Sequence, residues 1–198
     1  MLQRLLKTYA LPFGKVRKRN TVYIEEKSGS LNNCGFYVDV FPYDSAPDDD
    51  KERARLVRKR VFWARTMLMK HKYSPWREQG KYEIKKRIGY IFYQLISLFF
   101  SHDSIVNKYE NAVFSIPETE YVYEQIGKLK THYYKRIWLN QIKEGVFENF
   151  TFNIPLHTHE RLSEEYGNYM ELPPEDKREN RHSIIKVVFS NGEEYNNV

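Results

Sequence analysis

The sequence predicts an α+β fold. Three observations carry this: strand-like runs up to Phe41, helical apolar periodicity from Asp48 to Phe114, and strand-like alternation again after Pro117. Regularly alternating strands and helices would indicate a parallel α/β sheet, whereas a β block, a helical block and a mixed block indicate α+β. The chain has 198 residues, of which 41% are hydrophobic and 29% charged. That is too apolar for a disordered chain and too charged for a membrane bundle. The length suits one domain, taken as residues 1–190, followed by a polar tail at 191–198.

The β-type residues Thr21, Tyr23 and Ile24 predict a first strand, followed by a loop from Lys27 to Asn33. Gly35 to Phe41 is the strongest strand signal, and Pro42 ends it because proline cannot donate to a ladder. Tyr43 to Asp50 reads as a loop. Asp48, Asp49 and Asp50 offer N-caps for a helix on which Leu56, Val57, Val61, Ala64 and Leu68 recur at helical spacing, stopping at Ser74-Pro75. Two further helices are predicted over Lys81–Phe100 and Ser104–Phe114. Beyond Pro117, Tyr121–Ile126 reads as a strand, and Gly145–Ile154 alternates Phe150, Phe152 and Ile154 against Thr151 and Asn153. A short helix over Thr158–Tyr166 stops at Gly167. Ser183–Phe189 is a final strand and Asn191-Gly192 a turn.

The 32 Lys and Arg against 26 Asp and Glu leave a formal charge of +6, compatible with nucleic-acid, membrane-surface or phosphorylated partners but selecting none of them. A single cysteine, Cys34, excludes a disulfide framework and a multi-cysteine zinc site, and reads as a reduced thiol in a cytosolic chain. Residues Met1–Tyr9 carry Arg4 and Lys7 and no apolar stretch of signal-peptide length. The longest apolar run, Ile88–Phe100, would rise only about 20 Å as a helix, against a hydrocarbon core of roughly 30 Å. It reads as a buried or interfacial helix.

In a strand, Tyr37, Asp39 and Phe41 point one way and Phe36, Val38 and Val40 the other. Asp39 then lies between two aromatics, with an apolar opposite face. A half-buried carboxylate there costs several kcal/mol unless it is paired or holds a metal ion. Asp44 lies just beyond the strand, as a turn residue or a second carboxylate. His157 and His159, two residues apart at a helix start, point to different faces, and the absence of a nearby cysteine or third histidine argues against a metal site. The stretch from Tyr166 to His182 reads as a helix end followed by a charged loop, and its aromatics could also form a box for a quaternary ammonium group.

Two blocks resemble a known family. Gly35-Phe36-Tyr37-Val38-Asp39-Val40-Phe41-Pro42-Tyr43-Asp44, with Ala46-Pro47, resembles the G-(hydrophobic)-D-(I/V)-F-P-(L/Y)-D-x-x-P block of LicD-type phosphotransferases. Tyr166-Gly167-Asn168-Tyr169-Met170-Glu171-Leu172-Pro173-Pro174-Glu175-Asp176-Lys177-Arg178, ending at His182, resembles that family's terminal block. Phe147–Pro155 and Tyr9–Glu26 resemble the segments that lead into these blocks. The resemblance covers about Tyr9 to His182, and two long motifs in the right order are more specific than one short pattern.

The resemblance implies a nucleotidyltransferase-like mixed sheet with a helical middle, related to fukutin-type enzymes. It implies transfer of phosphocholine or a similar phospho-alcohol from a CDP-linked donor to a cell-surface glycan such as lipopolysaccharide, teichoic acid or capsule, with Mg²⁺ or Mn²⁺ held by carboxylates. Phosphoryl transfer depends mainly on positioning and charge neutralisation, which suits such a site. By this resemblance Asp39 and Asp44 are the candidate catalytic carboxylates, Asp39 the metal ligand, and Tyr166, Tyr169, Lys177, Arg178 and His182 the substrate-binding set. Arg178 is a candidate for phosphate. The family's aspartate-rich metal motif, of the form WDDDIDI, belongs upstream of both blocks. The expectation is therefore the C-terminal two-thirds of such a domain, inactive as given and with an exposed sheet edge.

The alternative is a basic, aromatic-rich module for single-stranded nucleic acid. Arg53, Arg55, Arg58, Lys59 and Arg60 are interleaved with core positions on one helix, and the aromatics fall in apolar stripes. That layout argues for no nucleic-acid partner. With a lipid-linked acceptor the chain would sit in the cytoplasm, peripheral to the inner membrane face. The basic helix Lys51–Arg60 beside Phe62 and Trp63 would then make weak, salt-sensitive contact with anionic lipid.

Overall fold

The computed structural model describes residues 9–25, 35–72, 81–124, 132–178 and 184–196. Its centre is a helical layer. Helix α1 spans Asp50–Lys70, α2 Lys81–Leu98 and α3 His102–Phe114. Asp49 caps α1 by accepting a hydrogen bond from the Glu52 amide at 2.9 Å, and Ser101 caps α3 through the Ser104 amide at 3.1 Å. The second cap moves the start of α3 two residues ahead of the predicted position.

The apolar stripe of α1 packs on α3. Met67 meets Ile105 and Val106, with Trp63, Leu68 and Phe100 around them, and Ala64 meets Tyr109 and Val113. These contacts descend one helix as they ascend the other, so the two are antiparallel. Trp63 is therefore part of the core, stacked edge-on against Phe62 and Phe100, and is not a free surface aromatic.

Among the described residues ten short strands form four antiparallel sheets. Strands β1 (Gly14–Arg17) and β3 (Tyr37–Val40) form a two-stranded ribbon. A second sheet runs in the order β10 (Glu194–Asn196), β9 (Ile184–Val188), β2 (Val22–Glu25). A third runs β4 (Tyr43–Ala46), β5 (Tyr121–Glu124), β6 (Tyr133–Lys135). Strands β7 (Ile142–Phe147) and β8 (Phe150–Pro155) form a hairpin that turns at Glu148, whose φ is 53°. The short helices α4 (Arg136–Asn140) and α5 (Thr158–Tyr166) flank this hairpin. Gly167, at φ 69°, ends α5 in a backbone conformation that favours glycine.

The α+β class and all three long helices follow the sequence reading. The strands differ in several places. Tyr43–Asp50 is not all loop: Tyr43–Ala46 pairs with β5, because Pro42 stops one strand and the chain re-enters another sheet. The single strand expected over Gly145–Ile154 is a hairpin. The polar tail contains β10, folded back on β9 through the Asn191-Gly192 turn, with Gly192 at φ 89°. The predicted loop at Lys27–Asn33 lies outside the described residues, and the strand expected over Tyr121–Ile126 is described only to Glu124.

Met67 is 2% exposed and has no room to relax into solvent. Met67→Ala is predicted to cost about 2–4 kcal/mol in urea unfolding. Ile88→Ala, at an exposed helix position, should change stability by less than about 0.5 kcal/mol. Equal costs at the two positions would contradict this placement of the core.

Candidate functional site

The predicted site residues that are described fall into separate sets of contacts. An Asp39 that held a metal ion for catalysis would face an open cleft. It lies instead on the two-stranded ribbon, directly across from Lys15, whose Nζ is 2.6 Å from Asp39 Oδ1. The Lys15 ammonium also sits 3.5 Å from the Tyr37 ring centroid. The Tyr37 and Asp39 face of the ribbon is thus the half-covered one, while Val16, Val38 and Val40 are exposed. The facing read from the strand alternation and the half-burial of Asp39 are both observed, and the apolar Val38 and Val40 side is the exposed one. The carboxylate is paired with a cross-strand cation, which alternation within one strand cannot reveal, although Asp39 Oδ1 has no well-aligned hydrogen-bond donor among the described residues.

Asp44 belongs to a different environment. It stands on β4 opposite Tyr123, beside the buried Arg60. Arg60 is 4% exposed, and its guanidinium lies 3.8 Å from the Tyr123 ring centroid. Among the described residues its Nε and both Nη atoms have no hydrogen-bond partner, nor does Asp44 Oδ2. Burial lowers the Arg60 pKa to about 10, against the opposing effects of Tyr109, Asp44 and Tyr133. Burial raises the Asp44 carboxyl, with Arg60 opposing. This is a buried guanidinium over an aromatic floor with a carboxylate in its electrostatic neighbourhood and with unused donors.

The terminal block forms a third group. Arg161 on α5 donates to the Tyr43 hydroxyl at 2.8 Å and pairs with Glu165 at 2.9 Å, and Tyr134 donates to Glu165 at 3.2 Å. Tyr166, the next residue, is exposed. Tyr169 meets His159, with its hydroxyl 3.1 Å from Nδ1. His157 instead contacts Glu160 and Gln141, so the two histidines serve separate local contacts. Lys177 is exposed on a 3₁₀ turn, and the exposed Arg178 donates from Nε to the Pro173 carbonyl at 2.6 Å. His182 lies outside the described residues.

The concave feature that the sequence reading missed is a groove between α1 and α2, of about 780 Å³. Arg53, Arg58 and Arg65 line it with Phe62, Tyr93 and Tyr133, and Asp50 stands at one end. Helical spacing explains the row: positions 58, 62 and 65 lie on one face of α1, turned away from the stripe that packs on α3. Arg53 pairs with Asp50 and lies 5.0 Å from the centroids of both Tyr121 and Tyr133. Arg65 Nη1 reaches the Tyr93 hydroxyl at 3.5 Å. Arg53 Nη1 and Arg65 Nε are buried atoms without a hydrogen-bond acceptor among the described residues. Three guanidinium groups against one carboxylate, with spare N–H donors, give the groove a chemistry compatible with phosphate oxygens. Charge counting along α1 could have suggested it, since the helix is strongly basic. The partner wall from α2 could not have been placed.

A divalent metal fits this arrangement poorly. Asp39 already holds Lys15, burial favours the neutral form of Asp44, and no group of three or more His, Cys, Asp or Glu side chains converges among the described residues. Mg²⁺ requires several hard oxygen ligands and gives up water reluctantly. Comparison of the chain with protein-family models, with curated proteins and with solved structures finds no match in any of the three.

The Asp44 environment makes a pH prediction. Its pKa is higher in the folded chain than in the unfolded one, so ionisation opposes folding. The favourable contribution is complete below the unfolded value and is lost as pH rises through the folded value. The stability of the unaltered chain relative to Asp44→Asn is therefore predicted to fall as pH rises above the unfolded value of about 4. Urea unfolding of both proteins at increasing pH measures it, and a flat or rising difference would contradict the assignment.

Proposed function

We propose that the chain is a LicD-type phosphotransferase domain that binds a CDP-linked phospho-alcohol donor, with phosphocholine the first candidate for the group transferred to a cell-surface glycan. The nucleotidyltransferase-like character of the fold is part of the same proposal. It is supported by the two ordered sequence blocks and, in the structure, chiefly by one observation: the arginine-lined groove between α1 and α2. Its volume lies within the range of small-ligand sites, and its charge suits a diphosphate. Guanidinium groups pair with phosphate oxygens in a planar, two-point geometry. Arg58 and Arg65 are placed to neutralise the diphosphate, with Tyr93 and Phe62 offering a ring surface to the base or alcohol.

Among the described residues the carboxylates do not gather into a metal centre, so the role proposed for this chain is recognition of the donor, with no transfer step. A divalent ion, where the family reading calls for one, would come with the donor diphosphate and with ligands additional to Asp39 and Asp44.

Calorimetric titration with CDP-choline tests the reading. Saturable binding is predicted, weakened at least ~10-fold by combining Arg58→Ala with Arg65→Ala, equivalent to losing at least one charge-assisted hydrogen bond. Arg178→Ala should leave the affinity unchanged. Loss of binding on Arg178→Ala alone, with the groove variant unaffected, would move the donor site to the terminal block. Choline release with Mg²⁺ or Mn²⁺ is predicted to stay at background. Turnover abolished by Asp39→Ala would overturn the view that Asp39 is committed to Lys15.

A further inference from the structure

Helix α2 is built inside out. Its covered side carries Tyr90, 9% exposed, and Ser97, 2% exposed, with the half-buried Tyr93 between them. Lys70 of α1 reaches over to donate to the Ser97 carbonyl at 3.1 Å, and Arg65 meets Tyr93. The contacts to α1 thus include the Tyr93 hydroxyl, the Phe62 and Tyr93 rings and the Lys70 and Arg65 cations. The apolar residues face outward: Ile84, Ile88, Ile91, Leu95 and Leu98 recur at spacings of four and three, with Phe92 and Phe99 beside them. Leu98 is 71% exposed and Phe99 81%. An ordinary surface helix shows the reverse arrangement, and a contiguous exposed apolar stripe marks an interaction surface. From Ile84 to Leu98 the stripe runs about 21 Å along the axis.

The charge around this stripe indicates what covers it. From Ile84 to Phe100 the only charged residues are Lys85, Lys86 and Arg87, all basic. Phe92 packs against Phe62, with ring centroids 6.3 Å apart, so the stripe borders the groove lined by Arg58 and Arg65. Lys51, Arg55 and Lys59 are exposed on α1. An apolar stripe bordered by guanidinium groups matches the cross-section of a bilayer surface, with acyl chains below and phosphates at the level of the arginines. Among the described residues no helix is long and apolar enough to cross a membrane, so a helix lying in the plane is the geometry open to α2.

We propose that α2 is an interfacial membrane helix that embeds its Ile84–Leu98 stripe in an anionic phospholipid bilayer, with Arg58 and Arg65 over the headgroup phosphates. This moves the membrane contact from the basic helix and Trp63, where the sequence placed it, to a helix whose apolar side is free. It requires no nucleotide, so its fate is separate from that of the donor reading.

Vesicle flotation of the full chain tests it, using phosphatidylcholine vesicles with and without phosphatidylglycerol, at low and high salt. Binding to the anionic vesicles is expected, weakened by salt but not abolished. The triple variant Ile88→Ser, Ile91→Ser, Leu95→Ser alters exposed side chains only and should keep its unfolding midpoint while losing at least ~10-fold in partitioning. In a Cys34→Ser background, an environment-sensitive dye at Leu95→Cys should shift blue on vesicles, and the same dye at Glu144→Cys should not. Equal partitioning of the triple variant, an unshifted dye at position 95, or no binding by the unaltered chain would each overturn the proposal. So would a dimer that the triple variant dissolves without any vesicle binding, since that would assign the stripe to a second copy.

Discussion

The two-sidedness of α1 is the constraint on which the rest of the architecture depends. One face carries Ala64 and Met67 into the core against α3, with the buried Val57 and Val61 between that face and the groove. Arg60 lies within that same face, and its cation is buried over Tyr123 beside Asp44. A buried guanidinium is tolerated only where a counter-charge and polarisable surface accompany it. The sheet supplies both from β4 and β5, so the position of that sheet and the charge on the helix are coupled. The other face of α1 carries Arg58, Phe62 and Arg65 toward α2 and creates the groove.

The helical middle was legible because its signals are local. Asp49 caps α1, the periodic apolar residues lie on one side, and Gly167 ends α5 with a positive φ, all readable from spacing and residue type. The four small sheets were less legible. Tyr43–Ala46, Tyr133–Lys135 and Glu194–Asn196 are strands only because distant partners pair with them, and runs of three or four residues carry little periodicity of their own.

The candidate site shows the same division. Asp39 was correctly placed on a strand between aromatics, yet its partner Lys15 lies on another strand, and that register decides its role. The two carboxylates that the family resemblance brings together lie in separate sheets. The arginine row on α1 was visible as composition, but the groove exists only because α2 stands alongside it. Tertiary placement thus shifts the weight of the functional reading from carboxylates that could hold a metal to guanidinium groups that could hold phosphate.

The central claim, that phosphate is received between α1 and α2, is most directly tested by nuclear magnetic resonance of the arginine side chains. Titrating CDP-choline into the full chain while following each Nε–Hε signal reads every guanidinium separately. The account predicts saturable shifts at Arg53, Arg58 and Arg65, with Arg161 and Arg178 unmoved. Shifts confined to Arg178 and its neighbours, with the groove arginines silent, would contradict it.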